Sequence, residues 1–335
     1  MNWEYWPFHV VYAPIYAYWF WLCIKARSFF FFSAANPSIA NGGFLMERKH
    51  QIFELIPAKY YPPTVYCAMG RDIEWLLQMM ADRGINFPTI AKPDIGMRGL
   101  RVELVQNAES LRRYLQQSPV DFIVQSYIPY EHEVGIFYYR LPGEAQGRIS
   151  GIVGKNFLAV IGDGQSTIRQ LLAKDDRFYL QLPALEAQLA EALDVILPPL
   201  ETKTLVPYGN HARGAEFLDL SQKNNADLEK SIDAVCRQIS GFYFGRLDVK
   251  FKTWADLCAG RHFSIVELNG AGSEPTHMYD PKHSIFFAWK EIIRHWKLLY
   301  LISKQNKALH GLAYMSWRDG LTMLKQNSVQ VKLIN

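Results

Sequence analysis

Two short stretches constrain this chain more than any others. Residues 244–251 read Phe-Gly-Arg-Leu-Asp-Val-Lys-Phe, and residues 266–269 read Val-Glu-Leu-Asn. Both belong to apolar runs of strand length, Phe244 to Phe251 and Phe263 to Leu268, in which polar side chains recur at every second position. A strand sends successive side chains to opposite faces. Arg246 and Asp248 therefore share a face, and so do Glu267 and Asn269. Set side by side, two such strands bring an aspartate, a glutamate and an asparagine to one spot. Hard oxygen donors of this kind suit Mg²⁺ held together with phosphates. Arg246 beside them suits charge on a transferring phosphoryl group. The plainer alternative is the polar outer face of an antiparallel sheet, which fits less well with polar residues set inside apolar strands.

Around these stretches the chain alternates strands and helices. Thr64 to Cys67, Phe87 to Lys92, Leu100 to Val105, Phe122 to Ile128 and Val134 to Arg140 read as strands, with more extended chain from Ile149 to Val160. Arg71 to Arg83 carries Ile73, Leu76, Leu77 and Met80 at helical spacing, and Asn107 caps a helix over Ala108 to Gln117. Further helices are expected at 166–173, 183–193, 226–239, 285–303 and 309–324. The stretch Lys252 to Arg261, within the nineteen positions from Asp248 to Glu267, is expected to be a surface excursion. Two α+β lobes with mostly antiparallel sheets are the natural architecture.

Two other segments carry polar groups suited to a nucleotide. In Ala91-Lys92-Pro93-Asp94-Ile95-Gly96-Met97-Arg98-Gly99, a lysine ends a strand and a glycine loop follows. Glycines let backbone amides approach phosphate oxygens, although no GK[ST] closes the loop as a P-loop would. In Gln125-Ser126-Tyr127-Ile128 a strand ends, and Glu133 opens the next one. A connecting segment of this kind can offer backbone groups to an adenine edge and a carboxylate to a ribose. Read alone, these are a hairpin and a surface turn.

Taken in order, the segments resemble the ATP-grasp superfamily over roughly Pro88 to Pro281. Arg246-Leu-Asp248 and Glu267-Leu-Asn269 look like motifs of D-alanine–D-alanine ligases, and Gly162-Asp-Gly-Gln-Ser-Thr-Ile168 resembles a segment of cyanophycin synthetases. The HGxxGE-type motif of the former is absent, and an aromatic segment stands in its place. The resemblance implies an ATP-grasp fold of two α+β lobes enclosing an ATP cleft. Its divisions would be an aromatic-rich segment (1–45), a reduced region (46–88), a small lobe (89–150), a large lobe with the metal site (151–303) and a C-terminal helix and tail (304–335). It implies ATP and Mg²⁺ as cofactors. Lys92, Met97, Arg98 and Gly99 would bind phosphates, with Lys49 and Lys155 as further phosphate contacts. Gln125 to Ile128 would form the adenine hinge, and Glu133 would hold the ribose. Asp248, Glu267 and Asn269 would hold the metal, and Arg246 would stabilise the transferring group. Ser273 and Glu274 would meet the acceptor, and His211 with Arg213 a carboxylate or phosphate. The implied activity is ligation of a small-molecule carboxylate to an amine. The alternatives are a phosphotransferase, or a nucleotide-binding pseudo-ligase acting at a membrane surface.

Composition narrows the partners. A net charge of +4 is too mild for a nucleic-acid binder. The four cysteines form no CxxC pair, so buried thiols in a cytoplasmic, reducing setting are expected. His277 and His283 lack zinc spacing and read as structural or surface histidines. Residues 3–32 are crowded with Trp, Tyr and Phe. Their basic residues, Lys25 and Arg27, follow the apolar stretch, which argues against a signal peptide. This segment is expected either to pack on the protein, as core or homodimer surface, or to lie on the inner face of a membrane through residues 1–32.

Overall fold

The computed structural model describes residues 3–96, 99–174, 176–179, 182–205 and 215–334. The chain divides into two compact units, one formed by Met1–Val153 with Asp219–Asn335 and the other by Gly154–Leu218.

The first unit holds two sheets. One contains β1 (Thr64–Cys67), β2 (Thr89–Pro93), β3 (Glu103–Val105) and β4 (Phe122–Ser126), in the order β1-β4-β2-β3 with antiparallel neighbours. Alternation sorts its faces. Cys67, Ala91, Phe122 and Val124 pack with Leu76 and Met80 of helix Ile73–Asp82 and Leu111 of helix Ala108–Gln117. Lys92 and Gln125 are left for the opposite face. Both helices start as the sequence dictates: Asp72 caps the first, and Asn107 and Ser110 form a reciprocal capping box on the second.

The other sheet of this unit runs in the order β11 (Phe263–Asn269), β10 (Phe244–Phe251), β5 (His132–Tyr139), β6 (Arg148–Asn156). One face, with Ile136, Leu247, Val249 and Ile265, packs on Leu228, Ile232 and Val235 of helix Ala226–Cys236. From the opposite face Phe137 and Phe244 pack with Leu299, Tyr300 and Ile302 of helix Ile285–His310. The architecture is thus α+β with antiparallel sheets, as expected. Residues 252–261 lie mostly at the surface, as expected of an excursion. They hold a short helix, Trp254–Cys258, capped by Thr253, with Leu257 in the core and its carbonyl bonded by Ser231. The long helix runs seven residues past Ser303, because nothing stops it before Gly311 takes left-handed φ (64°). The last helix is accordingly Trp317–Ile334, not 309–324.

The aromatic segment folds into helices Phe8–Tyr12 and Tyr16–Ala26 and packs one side on this unit. Leu22, Cys23 and Phe31 join the core beside Leu299 and Tyr300. Among the described residues no helix is long and apolar enough to cross a membrane. Residues 33–43, rich in turn-forming residues, are built into the unit. The buried Asn36 side chain donates to the carbonyls of Gly42 (2.9 Å) and Phe244 (2.8 Å) and accepts from the amides of Tyr243 and Phe244. The cysteines are free, with Cys23, Cys67 and Cys236 buried.

Beneath the sheet lies a buried polar cluster. His277 bonds Glu291 (3.0 Å), Arg294 pairs with the same carboxylate, and His295 meets Ser150 (2.9 Å). Burial, with Arg294 adding to it, pulls the His295 pKa down to about 3. His283 bonds Asp219 at 2.8 Å. Both histidines thus bond a carboxylate within this unit.

In the second unit, β7 (Ala159–Ile161) pairs antiparallel with β8 (Thr202–Thr204), and the chain leaves through β9 (Glu216–Asp219). Leu158, Val160, Ile168, Leu172, Leu185 and Leu197 form its core. The Gly162–Ile168 motif makes a helix entry here. Asp163 accepts from the amides of Gln165 (2.9 Å) and Ser166 (2.6 Å), the Ser166 hydroxyl (2.7 Å) and Lys174 (3.0 Å). Thr167 and Gln170 then form a capping box on helix Ile168–Ala173.

Candidate active site

β10 and β11 pair in the register Arg246↔Asn269 and Asp248↔Glu267. Directly opposed residues share a face, with Cβ atoms about 5 Å apart, so the four side chains named from sequence project together. After Asp248 the register slips: Val249 pairs with Ile265, and Val266 is passed over. Such a bulge leaves a residue outside the ladder. The Val266 carbonyl is free to accept from Lys92 Nζ, which reaches it from β2 at 2.9 Å.

Arg246 is lodged beside Asp248, its Nε 2.9 Å from Oδ1, and a terminal nitrogen donates to the Glu274 carbonyl at 3.3 Å. Burial opposes the guanidinium charge. Asp248, then Glu267 and Glu274, outweigh it and hold Arg246 charged more firmly than usual. Room for the pair comes from Gly135, which faces Asp248 across the β5 ladder. A Cβ there would lie 2.7 Å from Val153 Cγ1 and 3.1 Å from both Arg246 Cδ and Asp248 Oδ1.

The Asn269 side-chain nitrogen is buried and has no hydrogen-bond partner. One polar end of Asn269 is thus unsatisfied across the ladder from the Arg246–Asp248 pair. The carboxamide oxygen of Asn269 with the carboxylates of Asp248 and Glu267 makes a set of hard oxygen donors that suits a divalent cation. Among the described residues no three His, Cys, Asp or Glu side chains gather as a metal-binding group. The donor set is two carboxylates and one carboxamide.

Lys92 is buried and also donates to Gln125 Oε1 at 3.0 Å. Burial lowers its pKa to about 8. Glu267 opposes that fall, Lys49 adds to it, and Glu133 and Asp248 oppose it. Lys49 opens the helix Lys49–Leu55, donates to the Gly96 carbonyl (2.8 Å) and lies 3.7 Å from Glu267 Oε1. Lys49, Lys92, Glu133, Asp248 and Glu267 therefore act electrostatically as one group. Sequence reading missed a further member, Glu47. Its Oε2 is buried without a partner, and burial raises its pKa, with Lys49 and Glu267 close enough to bear on it.

The glycine loop is anchored at both ends. Asp94, fully buried, accepts from the His50 amide (2.9 Å) and bonds its Nδ1 (2.8 Å). From the C-terminal helix, Gln330 donates to the Ile95 carbonyl (3.0 Å), and Arg101 donates to the Ile334 carbonyl (3.0 Å). Gly99 takes φ +65°, which side-chain-bearing residues rarely adopt. Met97 and Arg98 lie outside the described residues, as do His211 and Arg213.

At the hinge, the Gln125 side chain is committed to Lys92 and to Thr64 Oγ1 (2.9 Å), and the Ser126 amide donates to the Pro63 carbonyl. Lys250, also missed, holds the segment that follows. Its Nζ donates to the Tyr130 carbonyl (3.2 Å), lies 3.5 Å from the Ile128 carbonyl and sits over the Tyr127 ring. It faces Glu133 across β5. The signal for Lys250 was available, because it continues the alternation of Arg246 and Asp248.

The loop after β11 is held from the N-terminal side. The amides of Ala271 and Gly272 donate to the carbonyls of Gly42 (3.0 Å) and Gly43 (2.9 Å), and a Cβ on Gly43 would fall 2.7 Å from Gly270 Cα. The Glu274 carboxylate accepts from Tyr12 and Tyr279. The Ser273 hydroxyl is within bonding distance of the Asn269 and Gly270 carbonyls, so it braces the loop. Lys155 lies in the second unit.

No family model and no curated protein matches the chain. Among solved structures it is similar to a bifunctional glutathione synthetase from Pasteurella multocida, at 15% identity and TM-score 0.38 over 78% of this chain and 38% of that one. It is similar to a D-alanine–D-alanine ligase from Bacillus anthracis, at 12% identity and TM-score 0.40 over 78% and 67%. It is also similar to a D-cycloserine synthetase, at 13% identity and TM-score 0.39 over 74% and 70%. The chain spans about 38% of the length of that glutathione synthetase. Scores this low decide neither fold nor function, and the reading that follows rests on the side chains.

Proposed function

We propose that this chain is an ATP-dependent ligase of the ATP-grasp type, which activates a carboxylate as an acyl phosphate and passes it to an amine. The observation that carries the reading is the bulged strand pair. It brings Asp248, Glu267, Asn269 and Arg246 to one face and accepts Lys92 from the other sheet, with Lys49 at Glu267.

In this reading a carboxylate oxygen attacks the γ-phosphorus and the bond to the ADP oxygen breaks. The amine nitrogen then attacks the acyl carbon, phosphate leaves, and the amine gives up a proton. Catalysis of such a transfer is mostly positioning and charge neutralisation. Lys49 and Lys92 neutralise ATP phosphates, and Gly99 of the glycine loop would lie against them; Met97 and Arg98, named with it from sequence, lie outside the described residues. Tyr127 and Ile128, held by Lys250, border the adenine, and Glu133 accepts from the ribose. Arg246 stabilises charge on the phosphoryl group in flight. Asp248, Glu267 and Asn269 would hold Mg²⁺, which neutralises phosphate oxygens when bound. Glu274, fixed by two tyrosines, is suited to an ammonium group of the acceptor.

The test is ADP release across panels of carboxylates and amines, with Glu267→Gln as the blank and mass detection of products. ADP, phosphate and an amide support the ligase. ADP with a phosphoester would make the chain a phosphotransferase, and failure to bind nucleotide would remove both readings.

A further inference from the structure

The aromatic segment has two sides, and only one is used inside the chain. On helix Tyr16–Ala26, Leu22 and Cys23 are buried, whereas Phe20 (49% exposed), Trp21 (48%) and Ile24 (75%) face outward. On helix Trp317–Ile334, Gly320 and Met323 are buried while Trp317 and Leu321 face outward. Phe29 joins the two sets, with ring centroids 6.2 Å from Phe20 and 4.9 Å from Trp317. Five large apolar side chains from two helices, joined by Phe29 from the turn after the first, thus form one exposed face, and a contiguous face of this kind marks an interaction surface.

Charge selects the occupant. Residues 16–29 and 316–334 carry five cations, Lys25, Arg27, Arg318, Lys325 and Lys332, against one carboxylate, Asp319. Asp319 is bonded to Ser316 at the start of its helix. Lys25 lies 4.4 Å over the Trp21 ring, its ammonium at the edge of the apolar face. Tryptophan and phenylalanine flanked by lysine and arginine match the boundary of a bilayer. There rings sit at headgroup depth and cations meet lipid phosphates. A surface built for a second copy of the same chain would face its own cations, which repel.

We propose that this face, centred on Ile24 and Phe29 and rimmed by Lys25, Arg27, Arg318 and Lys325, lies on an anionic phospholipid bilayer without crossing it. The proposal does not depend on the ligase reading.

The full chain is mixed with vesicles of phosphatidylcholine alone and of phosphatidylcholine with phosphatidylglycerol, then sedimented, and its tryptophan emission is recorded. The wild type is expected to sediment with the anionic vesicles, to shift its emission to the blue, and to release at high salt. Ile24→Glu puts a charge at the most exposed point and should weaken partition by about tenfold or more, since burying an isoleucine accounts for at least that factor. Lys25→Glu with Arg318→Glu should remove the preference for anionic vesicles, at roughly fivefold for each cation. Nucleotide binding and melting temperature serve as controls, and Leu321→Glu on the other helix replaces Ile24→Glu if the latter misfolds. The idea fails if the wild type stays in the supernatant with both vesicles, or if both glutamate variants sediment as the wild type does. It also fails if the chain ignores lipid and forms a dimer that Ile24→Glu dissociates, in which case the face joins two copies.

Discussion

The chain contains two polar motifs that resemble known ones in sequence, and they end differently in the fold. In the second unit, Gly162–Ile168 uses its polar atoms on itself. Asp163 collects four donors, and Thr167 and Gln170 close a capping box. In the first unit, the Arg246–Asp248 and Glu267–Asn269 strands leave polar groups unsettled. An amide end of Asn269 and an oxygen of Glu47 are buried without partners. Lys92 is buried deeply enough for its pKa to fall to about 8. A motif that satisfies itself builds structure. One that holds charge and leaves buried polar atoms unmatched is where a functional site is to be sought.

Four measurements press on that contrast. Glu267→Gln should cost the most, lowering ATP turnover by roughly 10²–10³, with the melting temperature hardly changed because volume is kept and the lost pair to Lys49 is partly exposed. Equal losses in turnover and stability would reduce Glu267 to a structural residue. Next is pH. The charged form of Lys92 is the one that neutralises phosphate, so kcat/KM for ATP should fall as pH rises through about 8, by about tenfold per unit. Lys92→Arg should remove that limb. The stability effect has the opposite sign. The folded pKa lies below the ordinary 10.5, so the unfolded chain binds the proton more readily, and this residue's contribution to stability improves from about pH 8 to 10.5.

Gly135→Ala should act through the Arg246–Asp248 pair, which the added Cβ would crowd. Turnover should drop by about tenfold, and overpacking should cost ~1–3 kcal/mol in chemical denaturation. The smallest effect belongs to the other motif. Thr167→Ala removes a helix cap, so it should cost about 1 kcal/mol and leave turnover per folded molecule unchanged. A large loss of turnover there would end the distinction drawn between the two motifs.

Period-two reasoning placed Arg246, Asp248, Glu267 and Asn269 on one face because strand alternation is local and strict. The cap at Asn107 was legible for the same reason: its partner, Ser110, is three residues on. The Val266 bulge could not be read this way, because a slip in register is a property of two strands. Neither could the contact between Gly43 and Gly270, which depends on chain passes more than two hundred residues apart. The stretch 33–43 is legible in sequence only as turn-rich chain after the aromatic segment. What makes it part of the site is Asn36, whose carboxamide satisfies the start of β10. The aromatic segment invited a choice between packing and exposure, and a helix with two dissimilar sides does both. Lys250 was legible and passed over, since the alternation that names Arg246 and Asp248 continues to it.

The hold of the C-terminal helix on the glycine loop has a consequence for how the molecule is made. Arg101 bonds a carbonyl 233 residues further along the chain, and Gln330 reaches back to Ile95. A ribosome that has finished both sheets has still not delivered either clasp. Both clasps can therefore close only once residues 330–334 have been made, so the glycine loop is among the last parts of this unit to be fixed.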